Sequence, residues 1–153
     1  MNDRSSTKTR EVTTTAGTMK VVLYADDDPA YLRLVEEAFE EAGRGSQIYT
    51  VTDGAEALAF LRQDGDYADA PVPDLVLLDW QLPRASGSEV LDALQDELGN
   101  HPPIVVFTNS DSGADITQAY DLGANAYVLK PAAFDDLVSL MDSIATFWLG
   151  NKN

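Results

Sequence analysis

Three aspartates, a threonine and a lysine carry the chemistry this chain can do. Asp26 and Asp27 follow the apolar run Lys20-Val21-Val22-Leu23-Tyr24-Ala25, and Asp79 follows Leu75-Val76-Leu77-Leu78. Thr108 follows Ile104-Val105-Val106-Phe107, and Lys130 follows Ala126-Tyr127-Val128-Leu129 and precedes Pro131. Carboxylates crowded together repel, and a divalent cation relieves that repulsion. Mg²⁺ prefers oxygen ligands, keeps several waters and accepts a few carboxylates together with a phosphoryl oxygen. In such a setting Asp79 is a nucleophile that takes a phosphoryl group and becomes an aspartyl-phosphate. Lys130 supplies positive charge for the transferred group and Thr108 a hydroxyl for one of its oxygens.

Taken singly, each residue has an ordinary structural role. An acid after a strand is a solvated cap, Asp26-Asp27-Asp28 is a loop with a helix N-cap, Thr108 is a turn residue and Lys130 a surface lysine. What favours chemistry is their joint placement at the ends of different apolar runs.

Those runs alternate with helical patterns. Asp28 before Pro29 reads as an N-cap with proline at the first helical position. Leu32, Val35, Phe39 and Ala42 then repeat at helical spacing, and Gly43 stops the helix. Gln47–Val51 reads as a short second strand. Asp53 and Glu56 suggest a capping box opening a helix through about Asp64. Gly65, Pro71 and Pro73 mark residues 65–73 as a loop. Ser86-Gly87-Ser88-Glu89 is a capping box in the strict form, with Leu91, Leu94 and Leu98 as the buried stripe. Ser112 caps a helix carrying Ile116, Ala119 and Leu122, which Gly123 ends. Leu137, Leu140, Met141, Ile144 and Trp148 form the stripe of a last helix.

Strand and helix thus alternate through the whole folded part. The pattern predicts an α/β fold with a parallel sheet covered on both faces. Right-handed crossovers place every strand's C-terminal end on one edge, where ligands of such sheets bind. Asp26, Asp27, Asp79, Thr108 and Lys130 converge there.

Composition narrows the partners. The 153 residues suit one domain, with residues 1–19, rich in Ser and Thr, as a disordered tail and residues 20–150 as the folded domain. Ten Lys+Arg against 26 Asp+Glu give a net charge of −16, which repels nucleic acid and anionic lipid over about 8–10 Å. No nucleic-acid or membrane partner is expected. The chain has no cysteine, which removes disulfide and zinc-thiolate chemistry and suits a reducing cytoplasm. No apolar run approaches a membrane span, and the basic N-terminus lacks the apolar core of a secretory signal.

Four segments together resemble the receiver domain of two-component response regulators, over about residues 20–148. They are Val22-Leu23-Tyr24-Ala25-Asp26-Asp27-Asp28-Pro29, Leu77-Leu78-Asp79-Trp80-Gln81-Leu82-Pro83 with Gly87, Phe107-Thr108-Asn109-Ser110, and Gly123 through Lys130-Pro131. The resemblance implies a flavodoxin-like (βα)5 receiver fold, doubly wound, with strand order 2-1-3-4-5. It implies a phosphoacceptor switch that catalyses only its own phosphorylation and dephosphorylation, not an enzyme acting on an external substrate. Asp79 would be the phosphorylation site. Asp27 would bind Mg²⁺ directly, Asp26 chiefly through water, and the backbone carbonyl of Gln81 would be a further ligand. Thr108 and Tyr127 would be the switch pair, Thr108 moving toward the phosphoryl group and Tyr127 turning inward behind it. Lys130 would pair with the phosphate, and its bond to Pro131 is often cis in the family. Gln81 and Ser110 would flank the site of water attack and tune phosphoryl lifetime.

The implied donor is a sensor histidine kinase or a histidine phosphotransfer protein. The output would pass to an unidentified protein by contact, and a second copy of this chain is a further candidate partner. The longer segment between Asp53 and Asp79, with the terminal Phe147-Trp148-Leu149, resembles the stand-alone regulators that partner cyanobacterial and other bacterial phytochromes.

Two readings from other classes compete. A flavodoxin-like electron carrier needs a Gly/Ser/Thr-rich phosphate loop after the first strand, and here that loop is acidic. A phosphate-ester hydrolase working through an aspartyl-phosphate usually has a second acid two residues after the nucleophile, where this chain has Gln81. His101, the only histidine, lies between Asn100 and Pro102 and reads as a loop residue, not a phosphoryl donor.

Overall fold

Strand identity follows burial. The computed structural model describes residues 19–42, 45–97 and 101–150. β1 (Val21–Ala25), β3 (Leu75–Leu78) and β4 (Ile104–Thr108) are buried along their whole length. Continuous apolar runs of this kind need cover on both faces, which a parallel sheet with crossover helices supplies. β2 (Gln47–Val51) and β5 (Ala126–Leu129) are more exposed and form the two edges. All pairings are parallel, in the order β2-β1-β3-β4-β5. Fold class and strand order are those the sequence implies.

Successive side chains along a strand point to opposite faces, so each strand feeds two cores. Leu23, Ala25, Val76, Leu78, Ile104 and Val106 pack with α2 (Gly54–Arg62), α3 (Gly87–Gln95) and α4 (Gly113–Asp121). Val22, Tyr24, Leu75, Leu77, Val105 and Phe107 pack with α1 (Pro29–Ala42) and α5 (Phe134–Trp148). On α1 the buried stripe is Leu32, Val35, Ala38 and Phe39; on α5 it is Leu137, Met141, Ile144 and Ala145. Leu140 and Trp148 are only half-buried, and Phe147 is 76% exposed. None of the described helices is long and apolar enough to cross a membrane.

The caps fix where helices begin. Asp28 accepts the amides of Ala30 and Tyr31 at 3.0 and 3.4 Å. Ser86 and Glu89 form the reciprocal box, and Ser112 accepts the amide of Asp115. At α2 the box is altered. Asp53 accepts the amide of Glu56 at 2.7 Å, but Glu56 reaches back to the amide of Thr52, not to that of Asp53. α2 also stops at Arg62, ahead of Asp64, because Gln63 turns left-handed with φ 56°. Within the predicted loop 65–73, Gly65–Tyr67 makes a short 3₁₀ turn. No cis peptide bond occurs among the described residues, so Lys130–Pro131 is trans here, the form an X-Pro bond prefers without a constraint against it. The predicted tail before Met19, the stop at Gly43 and the stripe residue Leu98 lie outside the described residues.

Candidate functional site

Backbone bonds bring the strand ends together. The amide of Asp26 donates to Val51 O at 3.1 Å, and that of Asp79 donates to Ala25 O at 3.0 Å. The amide of Lys130 donates to Thr108 O at 2.9 Å. The sheet register therefore continues one residue past the strands and places each polar side chain beside the next.

Lys130 closes the cluster. Its Nζ lies 2.6 Å from Asp26 Oδ2 and 2.8 Å from Asp79 Oδ2. Asp26 and Asp79 are buried and Asp27 is exposed. One carboxylate oxygen from each of Asp26, Asp27 and Asp79 lies within 4.8 Å of the others. Burial pushes the Lys130 ammonium down, but hydrogen bonds and charges from Asp26 and Asp79 outweigh it, so its pKa ends above the usual lysine range. Lys130 is a fixed cation. Three carboxylates against one ammonium leave a net charge of −2 (−3 + 1 = −2). An all-oxygen donor set with that deficit fits a hard divalent cation.

Asp26 is held from several sides. Its Oδ1 accepts the amide of Asp28 at 2.9 Å, and its Oδ2 accepts the hydroxyl of Tyr24 as well as Lys130. Burial and the neighbouring Asp26 charge push the Tyr24 phenol far above its ordinary range, so it stays protonated and donates. Asp79 Oδ1 accepts the amide of Gln81 at 3.2 Å.

The loop after β3 is pinned by close approach. A Cβ on Gly87 would lie 2.8 Å from Asp79 O and Trp80 Cα, and one on Gly54 would lie 1.8 Å from Ala85 O. The Gly54 amide donates to Pro83 O at 3.2 Å, and Arg84, at φ 66°, places Nε 3.2 Å from Asp53 Oδ2. The start of α2 therefore clamps the loop that carries Gln81.

Thr108 and Tyr127 meet at Ser110. Thr108 is fully buried and its Oγ1 accepts the Ser110 amide at 3.5 Å, a weak contact. The Tyr127 hydroxyl donates to Ser110 O at 2.7 Å. Ser110 Oγ in turn donates to Asp115 Oδ2 at 2.6 Å. Burial pushes the Tyr127 phenol up; its bond to Ser110 opposes this, and Asp115, Asp111 and Asp79 add to it.

This arrangement matches known proteins. The profile of the response regulator receiver domain family fits residues 22–142. The chain belongs to the response regulator receiver family. Response regulator Rcp1 of Synechocystis sp. is 36% identical over 131 residues, which cover 85% of this chain and 89% of Rcp1. The phosphorylated cyanobacterial phytochrome response regulator RcpA superposes with TM-score 0.80 at 38% identity, covering 86% of this chain and 95% of RcpA. The Mn²⁺-bound form of Rcp1 gives TM-score 0.76 at 36% identity, over 85% of this chain and 94% of that one. The chain is thus a receiver-type signalling switch, and its acidic cluster is one that could hold a divalent metal ion.

Within this receiver domain, Asp26, Asp27, Asp79 and Lys130 stand together as the sequence predicts, whereas Thr108 and Tyr127 are joined through Ser110. Sequence reasoning missed Tyr24. The signal was there: in an extended chain residues 24 and 26 point the same way, so a phenol two positions before an acid can reach it. The Arg84–Asp53 clamp had no comparable signal, since it needs the fold to bring residues 31 positions apart into contact. His101 lies in a loop with Nδ1 2.8 Å from Pro102 O, as expected.

Proposed function

We propose that this receiver is a stand-alone phosphorylation switch in which Asp79 accepts a phosphoryl group from a sensor histidine kinase in a Mg²⁺-dependent step. The observation that carries the reading is Lys130 Nζ bridging Asp26 and Asp79 beside a third carboxylate. In the transfer, a carboxylate oxygen of Asp79 forms a bond to phosphorus as the bond from phosphorus to the donor's leaving atom breaks. Asp26, Asp27, Asp79 and the carbonyl of Gln81 would hold the ion, which supplies positive charge for the phosphoryl oxygens. Lys130 neutralises charge on the transferred group from the other side, and Thr108 bonds one of its oxygens. That bond draws Thr108 from Ser110 and lets Tyr127 turn inward, which biases the face formed by α4, β5 and α5. A ligand shifts such a pair of states only through contacts that differ between them.

The donor we favour is a phytochrome-type histidine kinase, because RcpA is described as a phytochrome response regulator and a further neighbour acts in red light signaling of R. palustris. That neighbour, RPA3017, is 34% identical with TM-score 0.79, over 88% of this chain and 97% of its own. A histidine phosphotransfer protein is the other donor class. Output passes by protein contact, to a partner protein or a second copy of this chain, in the cytoplasm.

Acetyl phosphate with Mg²⁺ tests the chemistry. One phosphoryl group should add to the wild-type chain, and Asp79→Asn should abolish the modification while leaving the circular dichroism spectrum unchanged. Undiminished labelling of that variant would sink the assignment. Phosphotransfer profiling against candidate histidine kinases tests the donor.

A further inference from the structure

The Lys130 side chain is 5% exposed, and a buried ammonium needs a favourable partner on each side. Two partners are Asp26 and Asp79. A third is a ring: Nζ lies 4.8 Å from the centroid of Tyr31, on α1. The same tyrosine donates its hydroxyl to Pro131 O at 3.0 Å, so it grips both the side chain of Lys130 and the backbone just after it. The ring is itself held by Phe107, centroid to centroid 6.0 Å, and Phe107 also meets Tyr24, the donor to Asp26, at 6.0 Å.

We propose that Tyr31 is a positioning residue for phosphoryl transfer: its π face holds the Lys130 ammonium between Asp26 and Asp79. The inference rests on the proposed role of Asp79. An ammonium is attracted to the face of an aromatic ring, and the attraction grows as water is excluded. The contact to Asp26 is the shorter of the two carboxylate contacts, 2.6 against 2.8 Å. With an aliphatic side chain at position 31, one flank of the ammonium would face hydrocarbon. The ammonium would then settle toward Asp26 and water, away from the acceptor oxygen. Tyr31 therefore sets how often Lys130 is in place when a donor arrives, though it touches neither donor nor acceptor.

The test uses the full chain with Tyr31→Phe, Tyr31→Leu and Tyr31→Met. The first keeps the ring and removes the hydroxyl; the other two remove the ring, so one can replace the other if it folds poorly. Two quantities are read. One is the NMR shift of the Lys130 Cε protons in the unmodified protein, which a ring current moves upfield. The other is the initial rate of phosphorylation by acetyl phosphate at saturating Mg²⁺, as a function of donor concentration. The Phe variant should keep the upfield shift and stay within about twofold of the wild-type rate. The Leu and Met variants should lose the shift and fall about three- to tenfold in maximum rate, at unchanged half-saturating donor. A wild-type rate in the ring-less variants, or an equal loss in the Phe variant, would overturn the role of the ring. Absence of labelling in the wild type would refute the Asp79 reading, and the proton shifts would still decide whether Tyr31 places Lys130.

Discussion

At the ends of β1, β3 and β5, Lys130 already touches both Asp26 and Asp79. At the ends of β4 and β5, Thr108 and Tyr127 are both turned to Ser110. The two regions share a sheet edge and a strand, yet they are built from different forces. The first is a buried ionic cluster, in which losing one partner typically costs about 3–5 kcal/mol. The second is a set of neutral hydrogen bonds, each worth about 0.5–1.5 kcal/mol net. The contrast shows a division of labour: the part that reacts is assembled in the unmodified chain, and the part that reports is held weakly enough to be rearranged.

Lys130→Met should break the contrast most severely. Removing the ammonium takes away a preorganised charge facing the reacting group, so phosphorylation by acetyl phosphate should slow by about a hundredfold or more. The variant also leaves its carboxylates without their cation, so Mg²⁺ should raise its melting temperature more than it raises that of the wild type. Equal gains on addition of Mg²⁺ would show that Lys130 does not neutralise the cluster.

Gly54→Ala should have an intermediate effect, and its sign is informative. Alanine in a helix usually stabilises relative to glycine, by roughly 0.8–1 kcal/mol. Here the new Cβ would meet the backbone oxygen of Ala85 at 1.8 Å, so the loop carrying Gln81 must move. Urea denaturation should show a loss of about 2 kcal/mol, in the range of overpacked sites. A stabilised variant would mean that the clamp between α2 and the loop is soft.

Tyr127→Phe should change least. It removes the hydroxyl that donates to Ser110 O and should lower stability by about 1 kcal/mol or less. The initial rate with acetyl phosphate should stay within about twofold of wild type, since the ionic cluster is untouched. A large fall in that rate would tie the two regions together in the ground state and erase the distinction drawn above.

The same division explains what could be read from sequence. Asp79 was legible because a continuous apolar run such as Leu75–Leu78 can only be a buried strand, and whatever follows it lies on the sheet edge. Lys130, Thr108 and the Asp26-Asp27 pair followed by the same rule. Ser86 with Glu89 was legible because a capping box is a local bargain between neighbours in sequence. Glu56 escaped that rule because the amide of Thr52 lies within reach and captures it. Gln63 ended α2 early in a left-handed conformation that its residue type does not announce. The grip of Tyr31 on Lys130 joins positions about a hundred residues apart and becomes visible only once α1 and the start of α5 lie side by side. The direction in which Tyr127 turns is chosen between close alternatives, and composition does not encode such a choice.

β5 is a four-residue strand with one open edge, and Lys130 is the residue directly after it. Tyr127 stands three positions earlier, a run of roughly 10 Å in extended chain. The strand is therefore a short rod with an ammonium at one end and a phenol near the other. Its covalent backbone scarcely stretches, and the ladder to β4 guides it along one side. A pull on Lys130 along the rod reaches Tyr127 without any relay of side chains, and the open edge leaves room for the travel.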